Sequence, residues 1–144
     1  MLISNTCKAA IKAVIYLAAK SELDQKSPIK EIATSVGENE HSVGKLLQTL
    51  VKQGIINSSK GPSGGFYLSK TQSNQSLYKI VEAIDGKHIL NKCGLGLHKC
   101  SAKHPCPIHN EYETARNHVE NLFKTNKVSD MIDSIQKGKT FLSD

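Results

Sequence analysis

Between residues 93 and 109 the chain reads CGLGLHKCSAKHPCPIH, that is Cys93, six residues, Cys100, five residues, Cys106, two residues and His109. Three thiols and an imidazole at this spacing are soft donors. They suit zinc or an iron–sulfur cluster, both of which take tetrahedral, sulfur-rich coordination. Three of the four Cys and three of the six His (His98, His104 and His109) fall in this one stretch, so unrelated thiols are the weaker reading. Gly94 and Gly96 let the loop fold around an inorganic centre, and Pro105 and Pro107 stiffen the chain on either side of Cys106. Cys7 stands apart, on the apolar side of a helical pattern, and reads as a small core residue. Nucleophilic use of the thiols would need a base and an orienting carboxylate. The local sequence shows no such paired groups, so an enzyme is not expected.

The rest of the chain must position that loop. Its 144 residues suffice for one compact domain with an appended arm and exclude a large multidomain enzyme. With 38% hydrophobic residues, 5% aromatics and no Trp, the core must be aliphatic. The net charge of +6 and pI near 9.1 favour a polyanionic partner. Arg116 is the one Arg, so phosphate attraction must be Lys-based, without the bidentate fork of Arg. Lys8 and Lys12 interrupt the apolar run near the N-terminus, which fits neither a signal peptide nor a membrane span. A cytoplasmic protein without membrane association is expected, in a compartment where disulfides are rare.

Apolar residues at Cys7, Ala10, Ile11, Val14 and Ala18 have helical spacing. After SELDQKSP, Ser27 as N-cap and Pro28 in the first turn open a second helix, IKEIATSV, stopped at Gly37. A third helix follows with Val43, Leu46, Leu47 and Leu50 on one face and Gly54 as its stop. Opposite the leucines stand His41, Ser42, Lys45, Gln48, Thr49 and Lys52, side chains able to meet base edges or phosphates in a major groove. Gly44, inside this helix, costs about 1 kcal/mol relative to Ala and leaves room for close approach to DNA. The segments IINSSK and FYLSK then read as two strands joined by GPSGG, a wing in which Gly64 and Gly65 can take positive backbone angles. Lys60, Ser63 and the Gly64 amide are the wing's candidates for phosphate contact. A fourth helix runs from Ser76 to Gly86. From Asn110 another begins, with Tyr112, Ala115, Val119 and Leu122 spaced 3, 4 and 3 as in a coiled-coil seam, which predicts a homodimer. VSDMIDSI adds a short helix. The expected fold is mainly α with a small β-hairpin. It divides into a winged helix-turn-helix DNA-binding domain over 1–86, a Cys-rich cluster loop over 87–109, and a dimerisation helix with its tail over 110–144.

These features together resemble the IscR/NsrR family of bacterial winged-helix transcription regulators. The resemblance runs over nearly the whole chain, through IKEIA, LLQTLVKQGIINSSKGPSGGFYLSK, SLYKIVEAIDG and the Cys trio before a long helix. It implies homodimers on double-stranded operator DNA and an iron–sulfur cluster that senses cluster supply, nitric oxide or redox state. It also implies Cys93, Cys100 and Cys106 as cluster ligands, with His109 in the place of the His of the IscR-like branch, which favours 2Fe-2S over 4Fe-4S. The gap of six between Cys93 and Cys100 is one longer than in that branch. Lys8 stands where the NsrR-like branch has an acidic ligand to a 4Fe-4S cluster, and Lys60 where an Arg is usual. A structural zinc site of the same four residues, without sensing, is the alternative.

Overall fold

The computed structural model describes residues 2–144. Helix α1 (Asn5–Glu22) is capped by Ser4, whose hydroxyl accepts the Cys7 N–H at 3.0 Å. It buries Cys7, Ala10, Val14, Leu17 and Ala18, and its run of alanines lets neighbouring helices approach closely. α2 (Ile29–Val36) ends at Gly37, in the left-handed conformation at φ +70°. α3 (Glu40–Lys52) is capped by Asn39, whose side-chain oxygen accepts the N–H of His41 and of Ser42 at 2.9 and 3.2 Å. The helix-turn-helix is thus as the sequence predicts. Its entry differs, because Pro28 is the N-cap of α2, with no side-chain bond.

Ser27 is instead buried beneath the wing, exchanging two backbone hydrogen bonds with Phe66: Ser27 N–H to the Phe66 carbonyl at 3.0 Å, and Phe66 N–H to the Ser27 carbonyl at 2.8 Å. The wing itself is β1 (Asn57–Ser59) antiparallel to β2 (Gly65–Tyr67), with Ser58 opposite Phe66. Its glycines have steric reasons. A Cβ on Gly65 would lie 2.8 Å from the Ser27 carbonyl oxygen and one on Gly64 would overlap that of Ser59. Gly65 takes a positive φ of +140°, as expected, whereas Gly64 does not; Gly61 is the other wing glycine there.

Where the sequence pattern extends the second strand to Lys70, the chain turns into a short helix, α4 (Lys70–Ser73), because Ser69 and Gln72 form a reciprocal capping box. α5 (Leu77–Asp85) follows and stops at Gly86. The loop beyond it contains a 3₁₀ turn, Ile89–Asn91, that drops Leu90 into the core. Then come α6 (His109–Thr125), a 3₁₀ turn over Val128–Met131, and α7 (Ile132–Gln136). Leu17 and Val14 of α1 share one aliphatic core with Ile32, Val43, Leu47, Leu50, Ile80 and Val81, and Phe123, Val128 and Ile132 close it. Among the described residues, no helix is long and apolar enough to cross a membrane.

The face of α6 that packs on the body is not the expected seam. Its buried residues are His109, Arg116 and Phe123, seven apart. Tyr112 and Val119 are half-buried beside this line, while Ala115 and Leu122 are exposed, Leu122 by 50%.

Cys7 is fully buried, and burial, with the nearby Asp85 carboxylate adding to it, pushes its thiol up to about 12. An unfolded thiol ionises near 8.5. The neutral thiol is therefore favoured in the fold, and this stabilisation is complete below the unfolded value and lost as pH rises towards 12. Urea midpoints measured from pH 8 to 11 should fall more steeply in the wild type than in Cys7→Ala. Parallel curves would show that Cys7 does not carry this alkaline limb.

Candidate functional site

The Cys loop packs against the first turns of α6. The N–H of His109, the first helical residue, donates to the Cys106 carbonyl at 3.0 Å, which brings Cys106 and the imidazole to one end of the helix. Arg116, two turns on and buried, donates from Nη1 to the Lys92 carbonyl at 3.0 Å and so fixes the backbone just before Cys93. Between these two anchors the Tyr112 ring lies over Gly94. A Cβ there would sit 2.8–2.9 Å from the ring carbons, so only glycine permits this seat.

The four predicted ligands come together as two pairs. Cys93 and Cys106 are both buried free thiols, and the Cys106 side chain lies beside the Cys93 sulfur. Amide N–H groups of Leu95 and Leu97, aided by the Cys106 thiol and the Gly96 amide, hold the Cys93 thiol below its ordinary range. In the second pair, Cys100 Sγ lies 3.3 Å from His109 Nδ1. The other ring nitrogen, Nε2, is 3.4 Å from Glu113 Oε2, within ion-pair reach but outside hydrogen-bond alignment, and it is buried with no other partner. His98 and His104 are exposed. Among the described residues, no three His, Cys, Asp or Glu side chains converge closely enough to hold one metal ion. By its chemistry alone, three thiols and one imidazole around the base of α6, the donor set suits a soft metal group.

This geometry corrects one expectation. A base and an orienting carboxylate do stand beside a thiol, as Cys100, His109 and Glu113. The signal for Glu113 was present in the sequence as the i, i+4 spacing on a helix beginning at His109. Starting the helix at Asn110 hid it.

The second candidate surface is the exposed side of α3 and the wing. His41, Ser42, Lys45, Gln48, Thr49 and Lys52 are all exposed there, as are Lys60 and Ser63. A Cβ on Gly44 would meet only Ile29 Cδ1, at an ordinary 3.7 Å, so packing within the protein does not require glycine at this position. Gly64 is half-buried, and its N–H donates to the Gly61 carbonyl at 2.9 Å; it shapes the turn and has no free amide to offer phosphate. The structure adds Lys26, which sequence reading missed. Its Nζ donates to Ser59 Oγ at 3.1 Å and lies 4.9 Å over the Tyr67 ring, a position beside the wing that follows from the Ser27–Phe66 pairing.

A helix-turn-helix carrying a wing and a polar recognition face defines a winged-helix DNA-binding transcription regulator. Residues 3–134 match the family described as Rrf2, iron-dependent transcriptional regulator, and the chain belongs to that family. It is similar to a helix-turn-helix-type transcriptional regulator of Aquifex aeolicus, 31% identical over 139 residues that cover 95% of each chain. It is also similar to the regulator IscR of Escherichia coli, 26% identical over 109 residues, 76% of this chain and 66% of IscR. Its fold is that of CymR, the global cysteine regulator of Bacillus subtilis, with a TM-score of 0.71 at 19% identity over 90% of this chain and 95% of CymR.

Replacing Gly94 by Ala should dislodge the loop from the Tyr112 ring without touching the core. Hydrogen exchange should rise in residues 87–108 while the thermal midpoint stays within about 4 °C, roughly the scale of a 1 kcal/mol change in a chain of this size. Unaltered exchange in the loop would mean that Tyr112 does not hold it.

Proposed function

We propose that this regulator binds operator DNA as a homodimer and senses cluster supply, nitric oxide or redox state through an iron–sulfur cluster held by Cys93, Cys100, Cys106 and His109. One observation carries the reading: the donors stand as two pairs, Cys93 with Cys106 and Cys100 with His109, at the base of α6. A 2Fe-2S centre needs two terminal ligands on each of two irons, and mixed thiolate and imidazole ligation is an established pattern for such centres. A single zinc needs all four donors at one point, so the pairing supports 2Fe-2S over structural zinc. Similarity to IscR and the iron-dependent description of the family support it further. When bound, the cluster supplies a centre that can be gained, lost, oxidised or nitrosylated.

The chain's own contacts supply the link to DNA. Tyr112 over Gly94 and Arg116 on the Lys92 carbonyl join loop order to α6. Ala115 and Leu122 leave α6 with an exposed apolar strip, and Leu95, Leu97 and Ile108 expose apolar surface from the loop. Leaving each large aliphatic side chain in water forgoes roughly 1.5–3 kcal/mol, which a second copy of the chain would recover. A loop that changes its seat on α6 thereby changes the spacing of two recognition helices.

Protein purified without oxygen should show visible absorption with about two iron and two sulfide per chain, the stoichiometry of a 2Fe-2S centre. Ala at Cys93, Cys100 or Cys106 should abolish it, and His109→Ala should leave a more labile cluster. A colourless protein with stoichiometric zinc would replace this reading by the structural one.

On the DNA side, Ala at Lys45 or Lys60 should lower the salt dependence of operator binding by about one phosphate contact each, and His41 and Ser42 should affect base preference. Ser63 and Gln48 complete the same surface. Leu122→Glu should give a monomer by light scattering with little operator affinity. Unchanged salt slopes in both Lys variants would show that this face does not meet the duplex.

A further inference from the structure

We propose that Glu113 is a positioning residue for the metal centre, holding the His109 ring with Nε2–H towards its carboxylate so that Nδ1 is the atom offered to metal. The inference rests on the proposed function in taking His109 as a ligand.

A neutral imidazole carries one proton, so one ring nitrogen donates and the other presents a lone pair. The His109 side chain is only 5% exposed, so solvent does not settle which. The partners do. Nε2 is 3.4 Å from a carboxylate oxygen, a group that only accepts, and has no other partner. A lone pair on Nε2 would face the lone pairs of that oxygen, whereas a proton there has an acceptor 3.4 Å away that a small turn of Glu113 brings into line. Nδ1 then keeps its lone pair towards Cys100 Sγ, 3.3 Å away, where the thiol can donate to it. A metal taking the place of the thiol proton would meet the same lone pair.

Chain geometry makes the arrangement local. His109 is held at the start of α6 by its N–H to the Cys106 carbonyl, and Glu113 lies one turn later on the same face. Glu113 is half-exposed, so a small rotation of its side chain brings the carboxylate into alignment. Carboxylates in this outer position fix the tautomer of a ligating His and strengthen it as a donor. Their loss commonly costs 10–100-fold in metal affinity.

Nitrogen-15 histidine spectra of the reduced, metal-free protein test the pairing directly, with His109 assigned by its absence in His109→Gln. The wild type should show the Nε2–H form, Glu113→Ala a mixture of the two forms, and Glu113→Gln a return to Nε2–H, because the amide oxygen still accepts. After reconstitution with iron and sulfide, chelator-driven iron release should be about 10–100-fold faster in Glu113→Ala than in the wild type. An Nδ1–H signal in the wild type, alone or beside Nε2–H, would overturn the proposal, as would a Glu113→Ala variant unchanged in both measurements. Failure of the cluster reading is a separate result, a wild type that takes up neither iron nor sulfide, and the tautomer still decides the pairing in that event.

Discussion

One stripe of α6 organises the molecule. His109, Arg116 and Phe123 recur every seven residues, so a single helix face carries an imidazole at the Cys loop, a guanidinium at the loop's entry and a phenyl ring in the common core. The loop has no hydrophobic core of its own. Leu90, Cys93 and Cys106 are its only buried apolar side chains among the described residues between 87 and 108, and Leu95, Leu97 and Ile108 face outwards. Its conformation therefore depends on what α6 provides: a guanidinium donor for the Lys92 carbonyl, a ring laid over Gly94, and a helix end that gathers Cys106 and His109. Arg116 is buried with Nε unpartnered and reaches only a neutral carbonyl. Lys could not serve equally here, because the planar guanidinium directs its donors from a fixed frame.

The DNA-facing half was legible because its signals are local. Val43, Leu46, Leu47 and Leu50 show the period of a helix, Gly37 ends one helix and Asn39 starts the next, and GPSGG can hardly be anything but a tight turn. The wing's third partner was not legible. Ser27 pairs with Phe66 through backbone atoms, and a backbone hydrogen bond between distant segments leaves almost no trace in side-chain types. α4 was missed for a different reason: Phe66, Tyr67 and Leu68 have high strand propensity, and the capping box at Ser69 and Gln72 overrides the extension a few residues later.

At the Cys loop, the candidate donors could be listed from spacing, and their grouping could not. Which thiol meets which partner depends on how a loop of irregular backbone folds, and no periodicity governs that. The line by which α6 packs on the body was not legible, because Tyr112, Ala115, Val119 and Leu122 are the apolar residues, yet a His and an Arg take the buried positions. Polar residues enter such a line when they have partners to meet. Cys100 and the Lys92 carbonyl are those partners, and both lie in the segment whose path was unknown from sequence.

The paired amides of Ser27 and Phe66 have a mechanical consequence. They fasten the wing to the residue that leads into α2, and α2 is packed on the recognition helix, so wing and recognition helix travel as one rigid piece. Bending between them would break both bonds and expose a side chain that is now fully enclosed. The internal geometry of each reading head is thus constant. In the proposed dimer, the distance left to vary is the one between two heads, which on B-form DNA must match about 34–36 Å, one helical turn, or a multiple of it. Such a dimer would discriminate its sites by where a pair of stiff heads can land together, in the manner of callipers.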